Sequence, residues 1–372
     1  MSVVSRKVFC ATQPWWSFTM NRVRQQIRIA RSHDQVRLAW AECGSGPVLV
    51  KASNWLTHLQ HDWRSPVWRH WMEFFSGRYR FIRFDERGCG LSDWDVEDFS
   101  VANWLLDLEC VVDAAGINEP FILLGISQGA ATAIQYAVKY PHRVSHLVLY
   151  GGYSRGWGLR SERELEHVKA VLQMMKLGWG RDNAGFRQAF TSRFIPGGSH
   201  EQFDWFNDLC RKTTSGENAV RLLQSRIHVD VSDLLEQVNV PTLVMHARKD
   251  EVCVLDEGMF MANRIPGAEF VELDSCNHVL LPDEPAWKDF CTALLEFTGQ
   301  PVDPADELQQ ALTRRESQIL SLLREGLSNI QIGARLGISE KTVRNHLTRL
   351  YRKLGVRSRT EAVVRTLSVS SE

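Results

Sequence analysis

Three side chains in the sequence draw attention by type, spacing and order. Ser127 lies between glycines in GISQG (Gly125–Gly129), Asp250 lies in HARKDEVC, and His278 lies in DSCNHVLLP. A serine hydroxyl is a weak nucleophile until a neighbouring base takes its proton. Histidine is suited to be that base, and a carboxylate behind it fixes the imidazole tautomer and stabilises the imidazolium. Taken singly, an aspartate after a strand is usually a helix cap and a loop histidine is usually solvated. The order serine, acid, histidine, each just after an apolar strand-like run, lifts these three above that plain reading.

The elements that must carry them can be read around the three residues. PVLV, YRFIRFD, FILLGI, HLVLYGG, TLVMHAR and EFVELDS are short apolar runs rich in branched and aromatic residues. Helical periods such as VANWLLDLECVVDAAG and GAATAIQYAVKYP separate them. This alternation predicts an α/β domain with a mostly parallel sheet covered by helices on both faces. GISQG ends one strand and opens a helix, so Ser127 is expected on a tight turn that lifts its hydroxyl into a cleft, with glycines where the backbones crowd. A largely helical insertion, about residues 154–238, holds Trp157, Trp179 and Trp205 and is expected to cap the carboxyl ends of the strands.

With these motifs on the page, residues 25–299 resemble the α/β-hydrolase superfamily. FDERGCGLSD (Phe84–Asp93) is similar to its D-x-R-G-x-G-x-S turn, and VPTLVMHARKDEVC to its acid-bearing strand. The resemblance implies a serine hydrolase of an ester, thioester, lactone or amide, with catalytic Ser127, Asp250 and His278 and no cofactor or metal. One departure follows the first long strand. The usual His-Gly is missing from LVKASNWLTHL. An oxyanion hole would then use the Gln128 N–H and a donor near Trp55, or else the Asn54 side chain; one such donor is worth about 2.7–4 kcal/mol of transition-state stabilisation.

The last sixty residues differ in character. Between Leu312 and Arg365 there are twelve Lys/Arg against four Glu, while the whole chain has a formal net charge of +0. A basic tail of net charge +8 thus follows an acidic body of −8, the electrostatic footprint of a nucleic-acid-binding module. Thr313 with Glu316 and Ser328 with Gln331 read as capping boxes, Gly337 as a left-handed helix stop, and Ser339 as the cap of a third helix. On that helix Val343, Leu347, Leu350 and Leu354 form one apolar stripe, while Lys341, Arg344, Asn345, Thr348 and Arg352 occupy another face. Two short helices with a glycine turn, the second cationic, predict a helix-turn-helix for double-stranded DNA.

LTRRESQILSLLREGLSNIQIGARLGISEKTVRNHLTRLYRKLGVRSRTEAV resembles the LuxR/NarL (GerE-type) DNA-binding domain along nearly its whole length. The resemblance implies base contacts from Arg344, Asn345 and Thr348, phosphate contacts near Thr342 and Lys353, and a homodimer through RTEAVVRTL.

At 372 residues the chain suggests two domains, and 44% hydrophobic with 24% charged residues is an ordinary globular balance. The expected division is an extension at 1–24, the α/β domain at 25–299, a linker at 300–311 and the helix-turn-helix domain at 312–372. Met20 offers an alternative start. The eight cysteines are scattered without a C-x-x-C pair or a zinc spacing, so reduced thiols and a cytoplasmic setting are expected. The start has no signal-peptide pattern, and no run is long and apolar enough for a membrane helix. The leading functional expectation is a LuxR-type regulator whose hydrolase-like domain receives a small effector, apolar or aromatic to judge from the tryptophans. The alternative is a working hydrolase with an accessory DNA-binding domain, and a weaker third is a non-hydrolytic enzyme on the same fold.

Overall fold

The computed structural model describes residues 25–181, 185–301, 312 and 314–368. The extension at 1–24, residues 302–311 of the linker and the Thr313 half of the first capping box lie outside the described residues.

Eight strands form one sheet: β1 (Gln26–Arg31), β2 (Arg37–Cys43), β3 (Val48–Lys51), β4 (Arg80–Phe84), β5 (Phe121–Ile126), β6 (Val144–Tyr150), β7 (Thr242–Ala247) and β8 (Glu269–Leu273). Their order is β1-β2-β4-β3-β5-β6-β7-β8. The β1–β2 and β2–β4 pairs are antiparallel and the others parallel. The sequence reading had placed β3 to β8 but not the β1–β2 hairpin. β1 is an edge strand that exposes most of QIRIAR, so it lacks the apolar run that marked the others. By contrast FILLGI of β5 is buried throughout, as a strand covered on both faces must be.

The helices divide between the faces. α1 (Arg69–Arg78) and, later in the chain, α9 (Pro285–Phe297) contribute Trp71, Phe75, Phe290 and Leu294 to one apolar cluster. α2 (Val101–Ala114), α3 (Gly129–Lys139) and α8 (Leu255–Arg264) supply Leu108, Val111, Ile134 and Met261 to the opposite one. Between β6 and β7 rise the cap helices α4 (Glu162–Gly178), α5 (Gly185–Phe194), α6 (His200–Thr213) and α7 (Gly216–Ile227). The cap closes on a narrow neck, where Arg155 bridges Asp230 and the Val231 N–H donates to Ser154 O at 2.9 Å. Trp179, Phe190 and Leu223 carry the first cluster up into the cap, so cap and sheet share one interior.

Four further helices, Arg314–Arg324, Asn329–Leu336, Glu340–Leu354 and Arg359–Ser368, follow. They enclose their own apolar cluster, including Ile319, Leu323, Ile332, Val343, Leu347, Leu350 and Leu354. Ser328 and Gln331 cap the second of these helices reciprocally, and Gly337 ends it in the left-handed region at φ 63°.

Candidate active site and DNA-binding face

Ser127 stands between β5 and α3 with φ 54°, a backbone conformation that side-chain-bearing residues avoid. Its neighbours allow the turn. A Cβ on Gly125 would lie 2.8 Å from the Ala130 Cα, and one on Gly129 would lie 2.9 Å from the Ser53 carbonyl oxygen. The Ser127 N–H donates to Tyr150 O at 2.9 Å, tying the elbow to β6.

Asp250 follows β7 and His278 follows β8. His278 Nε2 lies 2.9 Å from Ser127 Oγ, and its Nδ1 lies 2.6 Å from Asp250 Oδ2. The other Asp250 oxygen accepts the N–H groups of Val252 at 2.8 Å and Cys253 at 3.0 Å. The Nδ1–H tautomer is the one a carboxylate at that nitrogen selects, which turns the Nε2 lone pair toward the hydroxyl. All three residues are buried. The cap joins this frame, since the His278 N–H donates to Phe194 O at 2.8 Å.

In the loop after β3 the Asn54 amide donates to Trp55 O at 3.2 Å, and its oxygen accepts from the buried Lys51 ammonium. Burial first, and the Arg83 charge second, push that ammonium down to about 7. The backbone N–H groups of Gln128 and Trp55 have no hydrogen-bond partner among the described residues. They are two free backbone donors at the cavity that Ser127 lines.

A cavity of about 40 Å³ opens at Ser127, Gln128 and Trp55. Val168, Phe190, Phe194 and Leu223 make its walls largely apolar, and two cations, Arg193 and Arg226, interrupt them. Arg226 is buried and paired with Glu86, and its guanidinium lies 4.8 Å from the Trp104 ring centre. These wall residues were not singled out from the sequence. Phe190 with Phe194 and Leu223 with Arg226 have helical spacing, but periodicity cannot say which cap face meets the sheet.

In the C-terminal helices, Lys341, Arg344, Asn345, Thr348, Arg349 and Arg352 are exposed on helix Glu340–Leu354. Thr342 is half-buried and its hydroxyl pairs with Ser339 at 2.8 Å. The Thr348 hydroxyl donates to Arg344 O at 3.1 Å, and Arg344 lies 3.6 Å from Glu340. Lys353 is exposed, and its ammonium donates to buried Glu316 at 2.7 Å. Arg315 and Arg359 hold the helices together through the carbonyls of Leu336, at 2.7 Å, and Leu327, at 2.5 Å.

An elbow serine joined to histidine and aspartate, under a helical cap on an eight-stranded sheet, defines a class. Residues 61–285 match the alpha/beta hydrolase fold family, and the chain belongs to it. Residues 310–366 match the luxR family of bacterial regulatory proteins, so a LuxR-type DNA-binding domain is fused to an α/β-hydrolase domain. The chain is 24% identical over 243 residues to pyrrolizixenacetamide deacetylase of Xenorhabdus hominickii, covering 65% of this chain and 88% of that protein. Over 56 residues it is 50% identical to the transcriptional regulatory protein DegU of Brevibacillus brevis, covering 15% of this chain and 24% of DegU. The fold matches an esterase from Exiguobacterium antarcticum with a TM-score of 0.62 at 21% identity, covering 74% of this chain and 100% of the esterase.

Proposed function

We propose that this chain is a transcription regulator whose hydrolase domain receives a small acyl compound at Ser127 and hydrolyses it, the occupied and empty states differing in their grip on DNA. The observation that carries this reading is the hydrogen-bonded run Ser127–His278–Asp250, with two unpaired backbone donors beside it, in a chain that also carries a LuxR-type module. A site for binding alone has no need of a base aligned on a strained hydroxyl.

In the proposed reaction Ser127 Oγ attacks the acyl carbon as its proton moves to His278 Nε2. The oxygen that becomes negative faces the Gln128 and Trp55 N–H groups at the amino end of α3, where the helix dipole favours negative charge. His278 then gives the proton to the departing alcohol or amine. Water, deprotonated by the same imidazole, releases the acyl group from Ser127. The names of the similar proteins, a deacetylase and an esterase, fit acyl transfer. Arg344 and Asn345 would read bases and Thr348 would touch either, with the last helix, where Val364 is exposed, pairing two copies.

The deciding measurement is covalent labelling with a fluorophosphonate. Wild type labels at Ser127 and Ser127→Ala does not; an unlabelled wild type defeats the hydrolytic part. If Ser127→Ala still answers the effector at its promoter, binding alone carries the signal; if the response is lost, chemistry is part of it.

A further inference from the structure

Two guanidinium groups line the cavity at Ser127, and they differ in what neutralises them. Arg226 has a carboxylate: its Nη2 donates to Glu86, and its Nη1 donates to Leu222 O at 2.7 Å. Its Nε is nonetheless buried without a hydrogen-bond partner. Arg193, on the last turn of α5, forms no ion pair within 4 Å among the described residues, and its one hydrogen bond goes to the Glu251 backbone carbonyl. Glu251, Asp250 and Glu164 act on it only from a distance. Asp250 is already bound to His278, Val252 and Cys253. The nearby His167 is a neutral neighbour rather than a second cation, because burial and then the Arg193 charge disfavour its protonation. The Gln128 side-chain amide nitrogen, also on the cavity wall, is buried and unpartnered too.

The unpartnered side-chain nitrogens on this cavity wall, Gln128 Nε2 and Arg226 Nε, are therefore donors, and Arg193 is a cation with no carboxylate within 4 Å among the described residues. An arginine stays protonated in proteins, and a desolvated guanidinium gains most from a carboxylate, which accepts from two of its N–H groups at once. The cavity is small, so a ligand that touches both Ser127 and Arg193 must be compact. We infer that the ligand carries a carboxylate: an ester, lactone or amide whose acyl carbon meets Ser127 while an anionic group on the same small molecule is seated on Arg193. This builds on the acyl chemistry proposed above and adds the charge of the substrate. Arg193 is then the specificity-determining residue.

The test uses the full-length chain and two pairs of esters, each a carboxylate beside its uncharged carboxamide. Monomethyl succinate with methyl succinamate places the charge on the acyl side; 4-acetoxybenzoate with 4-acetoxybenzamide places it on the leaving group. A charge-assisted contact made in the transition state gives at least one carboxylate an advantage of about tenfold or more in kcat/KM. Arg193→Gln brings that ratio close to one, and Arg193→Lys keeps part of it. Because the ratio compares two substrates on the same protein, a general loosening of the cap cancels. Equal kcat/KM within both pairs, or an advantage that survives Arg193→Gln, overturns the inference while fluorophosphonate labelling of Ser127 leaves the acyl reading standing. If no ester is turned over, binding decides: in Ser127→Ala, benzoate or succinate raises Tm in an Arg193-dependent way where benzamide does not. Flat melting curves with both anions overturn the anion site.

Discussion

Replacing Ser127 by glycine and, separately, by alanine measures how much conformational strain the elbow stores. Ser127 holds φ 54°, where an L-residue pays roughly 1–2 kcal/mol that glycine does not. Both variants lose the 2.9 Å contact with His278 Nε2, and both lose the hydroxyl. Only glycine also relieves the backbone, although glycine's freedom in the unfolded chain returns about 0.5–1 kcal/mol of that gain. The expected difference is therefore Ser127→Gly more stable than Ser127→Ala by about 0.5–1 kcal/mol, or about 1–3 °C in Tm for a domain of this size. Tryptophan fluorescence is the assay, because 11 of the 13 tryptophans lie within residues 25–299 and none follows Gly299, so the signal omits the C-terminal helices. Neither variant labels with a fluorophosphonate. If Ser127→Gly melts at or below Ser127→Ala, the left-handed turn is not a store of strain and the reasoning from φ fails.

Three further outcomes are expected. Arg226→Met strands the buried Glu86 carboxylate and lowers stability by about 3–5 kcal/mol, whereas Arg226→Met with Glu86→Leu recovers most of it in denaturant titrations; no recovery would mean that Arg226 acts through packing on Trp104. Lys51, pushed down to about 7 by burial, releases its proton in the folded state well before the unfolded chain does. Its contribution to stability is hence lost as pH falls to 7 and gained above it, so wild type should gain up to ~3 kcal/mol on Lys51→Met between pH 7 and 9; parallel melting curves contradict this. Arg344→Ala should cost about 1–3 kcal/mol on the operator and much less on random DNA, and equal losses on both, read by gel shift, would make Arg344 a phosphate contact.

How much of this was visible in the sequence depended on how local the cause was. Ser127, Asp250 and His278 could be read because each follows closely on a strand with apolar residues, and parallel strands deliver such turns to a common edge. Ser328, Gln331, Gly337 and Ser339 were legible because caps are settled within four residues. The β1–β2 hairpin escaped because an exposed edge strand has no need of an apolar run. The bond from Lys51 to the Asn54 side-chain oxygen went unread because nothing local shows that this lysine is buried. The ion pair of Lys353 with Glu316 was not legible because the two are 37 residues apart in sequence. Arg193 and Arg226 acquire meaning only when the cap folds over the elbow, a long-range event without a local signature.

The apolar cluster of the C-terminal helices draws every member from residues 312–362 and none from the larger domain. So small a kernel sits near the lower size at which a single-core unit survives unaided. Severed between Pro301 and Leu312, the piece should keep its helices but melt early; in the full chain that melting is silent in tryptophan fluorescence, and circular dichroism would reveal it as a second, shallower step. Such self-sufficiency makes the reader a portable part, transferable to another domain without redesign of its interior.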